Sequence, residues 1–140
     1  MKVAIYVRRS TTKQVHSVDR QKLEARALAA RNGWEVVAEY VDSASASTLA
    51  LRDRPQGARL LADAERGRFE GIVAYQRDRL FRQVTDSVIT LALLSGWGIR
   101  LFFTQEADVG DSEMLAVVEY MRALVSALES QKTGERRAQQ

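Results

Sequence analysis

Cysteine is absent from the 140 residues. Disulfide scaffolds, thiolate zinc sites and a cysteine nucleophile are therefore excluded. The single histidine, His16, leaves a Ser-His-Asp triad with one candidate base and no evident orienting partner. No apolar run is long enough to span a bilayer, and the amino end, MKVAIYVRRS, lacks the layout of a signal peptide. No Gly-rich phosphate loop or metal-ligand cluster is evident, and neither an internal repeat nor a linker interrupts the chain. These absences lead us to expect one soluble, intracellular domain, long enough to bury roughly two-thirds of its unfolded surface without a staple.

Lysine is scarce as well. It supplies four of the 21 basic residues, leaving 17 arginines and a formal charge of +3. Arg offers a rigid fork that matches phosphate oxygens, so the surplus is consistent with a polyanionic partner. A GC-rich coding sequence would raise Arg equally, and composition alone does not separate the two.

Strand and helix signals alternate along the chain. Lys2–Val7 is a β-branched and aromatic run suited to a buried strand. Ser17 is placed to cap a helix reaching Asn32, closed by Gly33. Trp34–Val41 reads as a second strand, and Asp42–Asp53 as a loop with little secondary-structure signal. Asp53 and Pro55 predict the start of a helix running to Arg66. Gly71–Tyr75 is a third strand, Thr85–Ser95 an apolar helix, and Ile99–Thr104 a fourth strand. The alternation predicts an α/β fold: a largely parallel sheet of four to five strands with helices on both faces. In such sheets function gathers beyond the carboxyl ends of the strands. Here those places are Arg8–His16, Asp42–Asp53, Gln76–Arg82 and Gln105–Asp111.

The pattern changes near residue 111, dividing a 1–110 core from a 111–140 tail. Met114, Val118, Met121, Val125 and Leu128 recur at steps of four and three. A helix from Ser112 to about Ala138 would be roughly 40 Å long at ~1.5 Å per residue. A domain of this size cannot cover it along its whole length, so the stripe is expected to meet another subunit. Lys132, Arg136 and Arg137 make its far end basic.

Two clusters carry chemistry. Tyr6-Val7-Arg8-Arg9-Ser10 brings two guanidiniums and a hydroxyl to the sheet's carboxyl edge, and Asp78-Arg79-Leu80-Phe81-Arg82 follows the third strand. A helical turn there would place Arg79 and Arg82 on one face. Arg54 heads a helix near the same edge. Several fixed cations, a carboxylate and a Ser hydroxyl suit phosphoryl transfer, whose transition state spreads negative charge over non-bridging oxygens. Each piece also has an ordinary reading as a turn residue, a surface ion-pair cluster or a helix start. It is their coincidence at matching strand ends that is informative.

The ordered set YVRRST (Tyr6–Thr11), SVDRQ (Ser17–Gln21), Asp42–Ser45, Arg54-Pro55, Leu61, Gly67, DRLFR (Asp78–Arg82) and Glu135-Arg136 resembles the catalytic domain of the serine recombinases, the resolvase/invertase family. It is most similar to the large integrase and transposase branch, over residues 2 to about 137. The resemblance implies site-specific DNA recombination. Ser10 would attack a DNA phosphodiester to give a 5′-phosphoserine and a free 3′-hydroxyl, and strand exchange and religation would need neither ATP, metal nor other cofactor. It further implies that Arg8, Arg79 and Arg82 hold the scissile phosphate, with Arg79 as general acid. Asp78 would orient the guanidiniums, and Gln21 and Arg54 would complete the pocket. Double-stranded DNA would be the partner, with Lys132, Arg136 and Arg137 at the minor groove. Met114, Val118, Met121, Val125 and Leu128 would assemble a homodimer and then a synaptic homotetramer, with no membrane involved and a cytoplasmic site of action on nucleoid DNA.

The chain departs from the common pattern at Arg9, Ala46, Phe81, Leu115 and Ser130, none of which removes a proposed catalytic group. In the family a DNA-binding module follows the long helix, and residues 1–140 by themselves are expected to lack it and to bind DNA weakly with little sequence preference. A signalling receiver domain would need acidic residues after the first strand to hold magnesium, where this chain has Arg8, Arg9 and Ser10. The alternative reading is a catalytically degenerate module of the same fold, kept for dimerisation.

Overall fold

The computed structural model of the protein describes residues 1–9, 17–105, 121 and 123–131. The chain runs β1 (Lys2–Arg8), α1 (Val18–Arg31), β2 (Glu35–Asp42), two 3-10 turns (Ala44–Thr48 and Leu51–Asp53), and α2 (Pro55–Glu65). It continues through β3 (Gly71–Ala74), α3 (Arg77–Leu80), α4 (Val84–Gly96) and β4 (Arg100–Phe103). The four strands form one parallel sheet in the order β2-β1-β3-β4. Four strands are therefore present among the described residues, within the four to five expected.

That order follows from the crossovers. From β1 the chain steps outward to β2, then returns past β1 to β3 and continues to β4. Right-handed crossovers in opposite directions put their helices on opposite faces. Accordingly Val3, Ile5 and Val7 of β1 pack with Ala25 and Ala29 of α1 on one face. Ala4 and Tyr6 pack with Leu60 and Ala64 of α2 and Leu91 and Leu94 of α4 on the other. The period-two alternation of a strand lets one run serve both cores, which is why Lys2–Val7 reads as apolar throughout.

Local signals account for most boundaries. Ser17 caps α1 as predicted, its Oγ accepting the Arg20 N–H at 3.2 Å. Gly33, at φ +69°, supplies the left-handed residue that turns α1 into β2. The start of α2 differs from expectation. Its N-cap is Arg54, with no local side-chain cap, and Asp53 ends the preceding turn. The free N–H groups of Gln56 and Gly57 donate instead to the Asp42 carboxylate, both at 2.9 Å. A carboxylate from the end of β2 thus caps a helix that begins 13 residues later, where it also meets the positive end of the helix dipole.

The stretch expected to be a featureless loop is more ordered than its composition indicates. It holds two 3-10 turns that bury Ala46 and Leu51. The second passes so close to α2 that a Cβ on Gly57 would lie 2.1 Å from the Leu51 carbonyl oxygen. Of the predicted helix over Ser112 to Ala138, residues 121 and 123–131 are described and are helical. Residues 123–131 are exposed, including Leu124, Val125 and Leu128. Among the described residues no helix is long and apolar enough to cross a membrane.

Candidate active site at the carboxyl ends of β1 and β3

The switch point of the sheet lies between β1 and β3, where the connections depart in opposite directions. β1 ends there at Arg8, and β3 leads through Tyr75 and Gln76 into α3. Burying arginine is costly unless its donors are met, yet Arg8, Arg54 and Arg79 are all buried at this edge. What surrounds them is a polar network built from four elements.

Tyr6 and Asp42 lie on neighbouring strands, two residues apart in register, and the Tyr6 hydroxyl donates to Asp42 Oδ2 at 2.8 Å. With the two α2 N–H groups, Asp42 receives three hydrogen bonds. Arg54 is 0% exposed. Its Nε donates to the Leu49 carbonyl at 3.0 Å, and its Nη1 donates to the Tyr6 hydroxyl at 3.1 Å and to the Arg79 carbonyl. One guanidinium therefore joins β1, the loop before α2, and α3. Burial pushes the Tyr6 phenol well above its ordinary range, against the adjacent Arg54 cation, which pulls it down. At neutral pH it is a hydroxyl able to donate to Asp42 while accepting from Arg54.

The residues predicted to form the site divide into three groups. Arg8, Gln21, Arg54 and Arg79 are buried at one edge, and Gln21 Nε2 donates to the Arg8 carbonyl at 3.1 Å. Arg82 is exposed and lies beyond α3, which ends at Leu80. The expected shared helical face for Arg79 and Arg82 is corrected accordingly: the helical turn is too short to hold both. Asp78 lies within α3. Ser10, with Lys132, Arg136 and Arg137, lies outside the described residues, as do Met114 and Val118 of the stripe. Met121 is partly buried, and Val125 and Leu128 are exposed.

Sequence reasoning did not assign site roles to Tyr6 and Asp42. A signal was present: each is a polar residue near the carboxyl end of a strand, the edge where function gathers in a parallel sheet. Asp86, buried in the first turn of α4, carried no such signal, because a carboxylate there reads as an ordinary helix start.

The fold and the site together define the class, a parallel α/β domain whose buried arginines gather at the switch point of the sheet. Within that class, the family model for the resolvase N-terminal domain matches residues 3–140, and the chain belongs to that family. No curated protein matches it. Among solved structures, it is similar to the N-terminal catalytic domain of TP901-1 integrase, with 28% identity and a TM-score of 0.74, over 92% of this chain and 99% of that one. It shares its fold with a resolvase-family site-specific recombinase from Streptococcus pneumoniae, at 22% identity and a TM-score of 0.67, over 100% and 99% of the two chains. The fold also recurs in the C-terminal catalytic domain of ISC1926 TnpA, an IS607-like serine recombinase, at 20% identity and a TM-score of 0.63, over 94% and 84%.

Proposed function

We propose that this chain is the catalytic domain of a site-specific DNA recombinase acting through Ser10. The observation that carries the reading is the set of three buried guanidiniums, Arg8, Arg54 and Arg79, at the end of the strand that leads into Ser10. The Ser10 Oγ attacks a DNA phosphorus, the bond from phosphorus to the 3′ oxygen breaks, and a 5′-phosphoserine forms. The proton lost by Ser10 is balanced by the proton gained by the leaving 3′ oxygen, for which Arg79 is the proposed donor. Religation is the reverse step with an exchanged 3′-hydroxyl. Fixed guanidiniums stabilise the charge that develops on the non-bridging oxygens without reorganising during the reaction.

In this reading Arg8, Arg79 and Arg82 touch the phosphate, with Asp78 orienting them. Arg54, enclosed on all sides, acts through Arg79, whose carbonyl it holds. Gln21 acts through Arg8. The exposed apolar residues Leu124, Val125 and Leu128 support assembly of copies into a dimer and a synaptic tetramer. Lys132, Arg136 and Arg137 are proposed to meet the duplex.

The test fuses the chain to a sequence-specific DNA-binding domain. Supercoiled plasmids carry paired copies of that domain's site around a randomised core. After incubation with EDTA and a denaturing quench, a 5′-linked protein–DNA adduct is expected from the wild type and none from Ser10→Ala. A folded wild type that binds the plasmids and leaves no adduct overturns the proposal in favour of an assembly module without catalysis.

A further inference from the structure

Three residues, 81–83, separate α3 from α4. Arg79 lies just before this junction and Asp86 just after it, 4% and 8% exposed. Each has one open atom among the described residues: Arg79 Nε has no acceptor there and Asp86 Oδ2 no donor. A third atom in the same condition is Arg54 Nη2. Arg54 holds the Arg79 carbonyl through its other nitrogen, and the 3-10 turn that precedes Arg54 packs against α4. Two buried cations and one buried anion, each with an open hydrogen-bonding atom, thus lie on elements linked in sequence by residues 81–83 and in space through Arg54 and the turn before it. Asp42, the other buried carboxylate among the described residues, already receives three hydrogen bonds.

A buried charge left unpaired is costly, and such atoms persist where a second arrangement of the site uses them. A guanidinium offers two forked edges, one through Nε and one through both Nη atoms. We propose that Asp86 is a positioning residue for the arginine cluster: its open carboxylate oxygen receives the Nε edge of Arg79 when a phosphate engages the opposite edge. Asp86 then fixes the plane of the Arg79 fork and offsets the excess of buried positive charge. The inference rests on the recombinase reading of this site.

The adduct assay tests it with three variants. Asp86→Asn should slow adduct formation by about tenfold or more, since misplacing a catalytic group by ~1 Å can cost on the order of 100-fold. Plasmid affinity should stay within about twofold, because the fused DNA-binding domain supplies most of the phosphate contacts and Arg79 only one. Asp86→Glu should recover a substantial part of the rate. Thr90→Val, one turn further along α4 and also buried, should leave it unchanged. An unaffected Asp86→Asn, a Glu variant no faster than Asn, or an equal loss in Thr90→Val overturns the inference while the wild-type adduct stands. Absence of that adduct removes the recombinase reading itself. Should the Asp86 variants not fold, the Arg79 Nε–Hε resonance of the wild type decides. It should shift as a short DNA duplex is added, and a resonance unmoved at saturation overturns the proposal.

Discussion

The Tyr6 hydroxyl and the Asp42 carboxylate meet at 2.8 Å inside the protein, 36 residues apart in the chain and on adjacent strands. Through this contact the end of β1, the cap of α2 and the Arg54 guanidinium become one unit. Members of such a buried network depend on one another, so removing one group affects the others.

Alkaline titration should reveal the state of Tyr6. Its folded-state value is raised above the ordinary 10.0 by burial. The protonated form is therefore the one the fold favours. Its contribution to stability is complete below pH 10.0 and falls as pH rises toward the folded-state value. Tyr40, also buried and donating to Asp63, shifts in the same direction. Of the four tyrosines, these two should form phenolate only as the chain unfolds. Ordinary titration of all four in a folded protein contradicts this. Tyr6→Phe should cost about 1–3 kcal/mol at neutral pH, because Asp42 and Arg54 each lose a partner. The same variant should lose stability less steeply on the alkaline side.

Arg54 should behave as a structural cation. Arg54→Ala is expected to cost about 3–5 kcal/mol, the range for removing one member of a buried charged network. Arg54→Lys keeps the charge but lacks the fork that reaches the Leu49 and Arg79 carbonyls, so most of the loss should remain. Urea unfolding measures both. Two variants of wild-type stability with low activity would show that Arg54 acts on substrate alone.

Gly57 should tolerate no side chain. The added methyl of Gly57→Ala would overlap both the Leu51 carbonyl and its Cδ1, so a cost of about 1–3 kcal/mol or more is expected. Gly96, near the end of α4, has nothing within 4 Å of a built Cβ. There Ala should be neutral or stabilising by up to ~1 kcal/mol. Equal thermal shifts for the two variants would contradict the close approach at Gly57.

Much of this architecture was legible in residue patterns. β-Branched runs marked all four strands to within a residue or two, and Ser17 and Gly33 marked the ends of α1. Right-handed crossovers then constrained which helices share a face. What escaped the pattern depends on groups brought together from far apart. Asp53 looked like the cap of α2 because it is adjacent in sequence, whereas Asp42 reaches the same N–H groups through the sheet. Arg54 resembled a surface helix start, and nothing local tells that its guanidinium is enclosed. The three-residue spacing of Arg79 and Arg82 implied one helical face, but α3 stops between them. Strand polarity alone sends Arg8, Arg54 and Arg79 to one edge, whereas Gln21 was reached only through the family resemblance.

The strand order has a consequence for synthesis. Of the four strands β1 is made first, and it occupies an inner position, paired on both edges in the finished sheet. Its partners begin at Glu35 and Gly71. At roughly 5–20 residues per second, the strand that carries Tyr6 and Arg8 waits on the order of seconds for its second neighbour. Until then a strongly apolar strand keeps at least one open edge, the state most exposed to pairing with another nascent chain. The α1 crossover and β2, complete by Asp42, close one edge early and leave only the β3 side to be guarded.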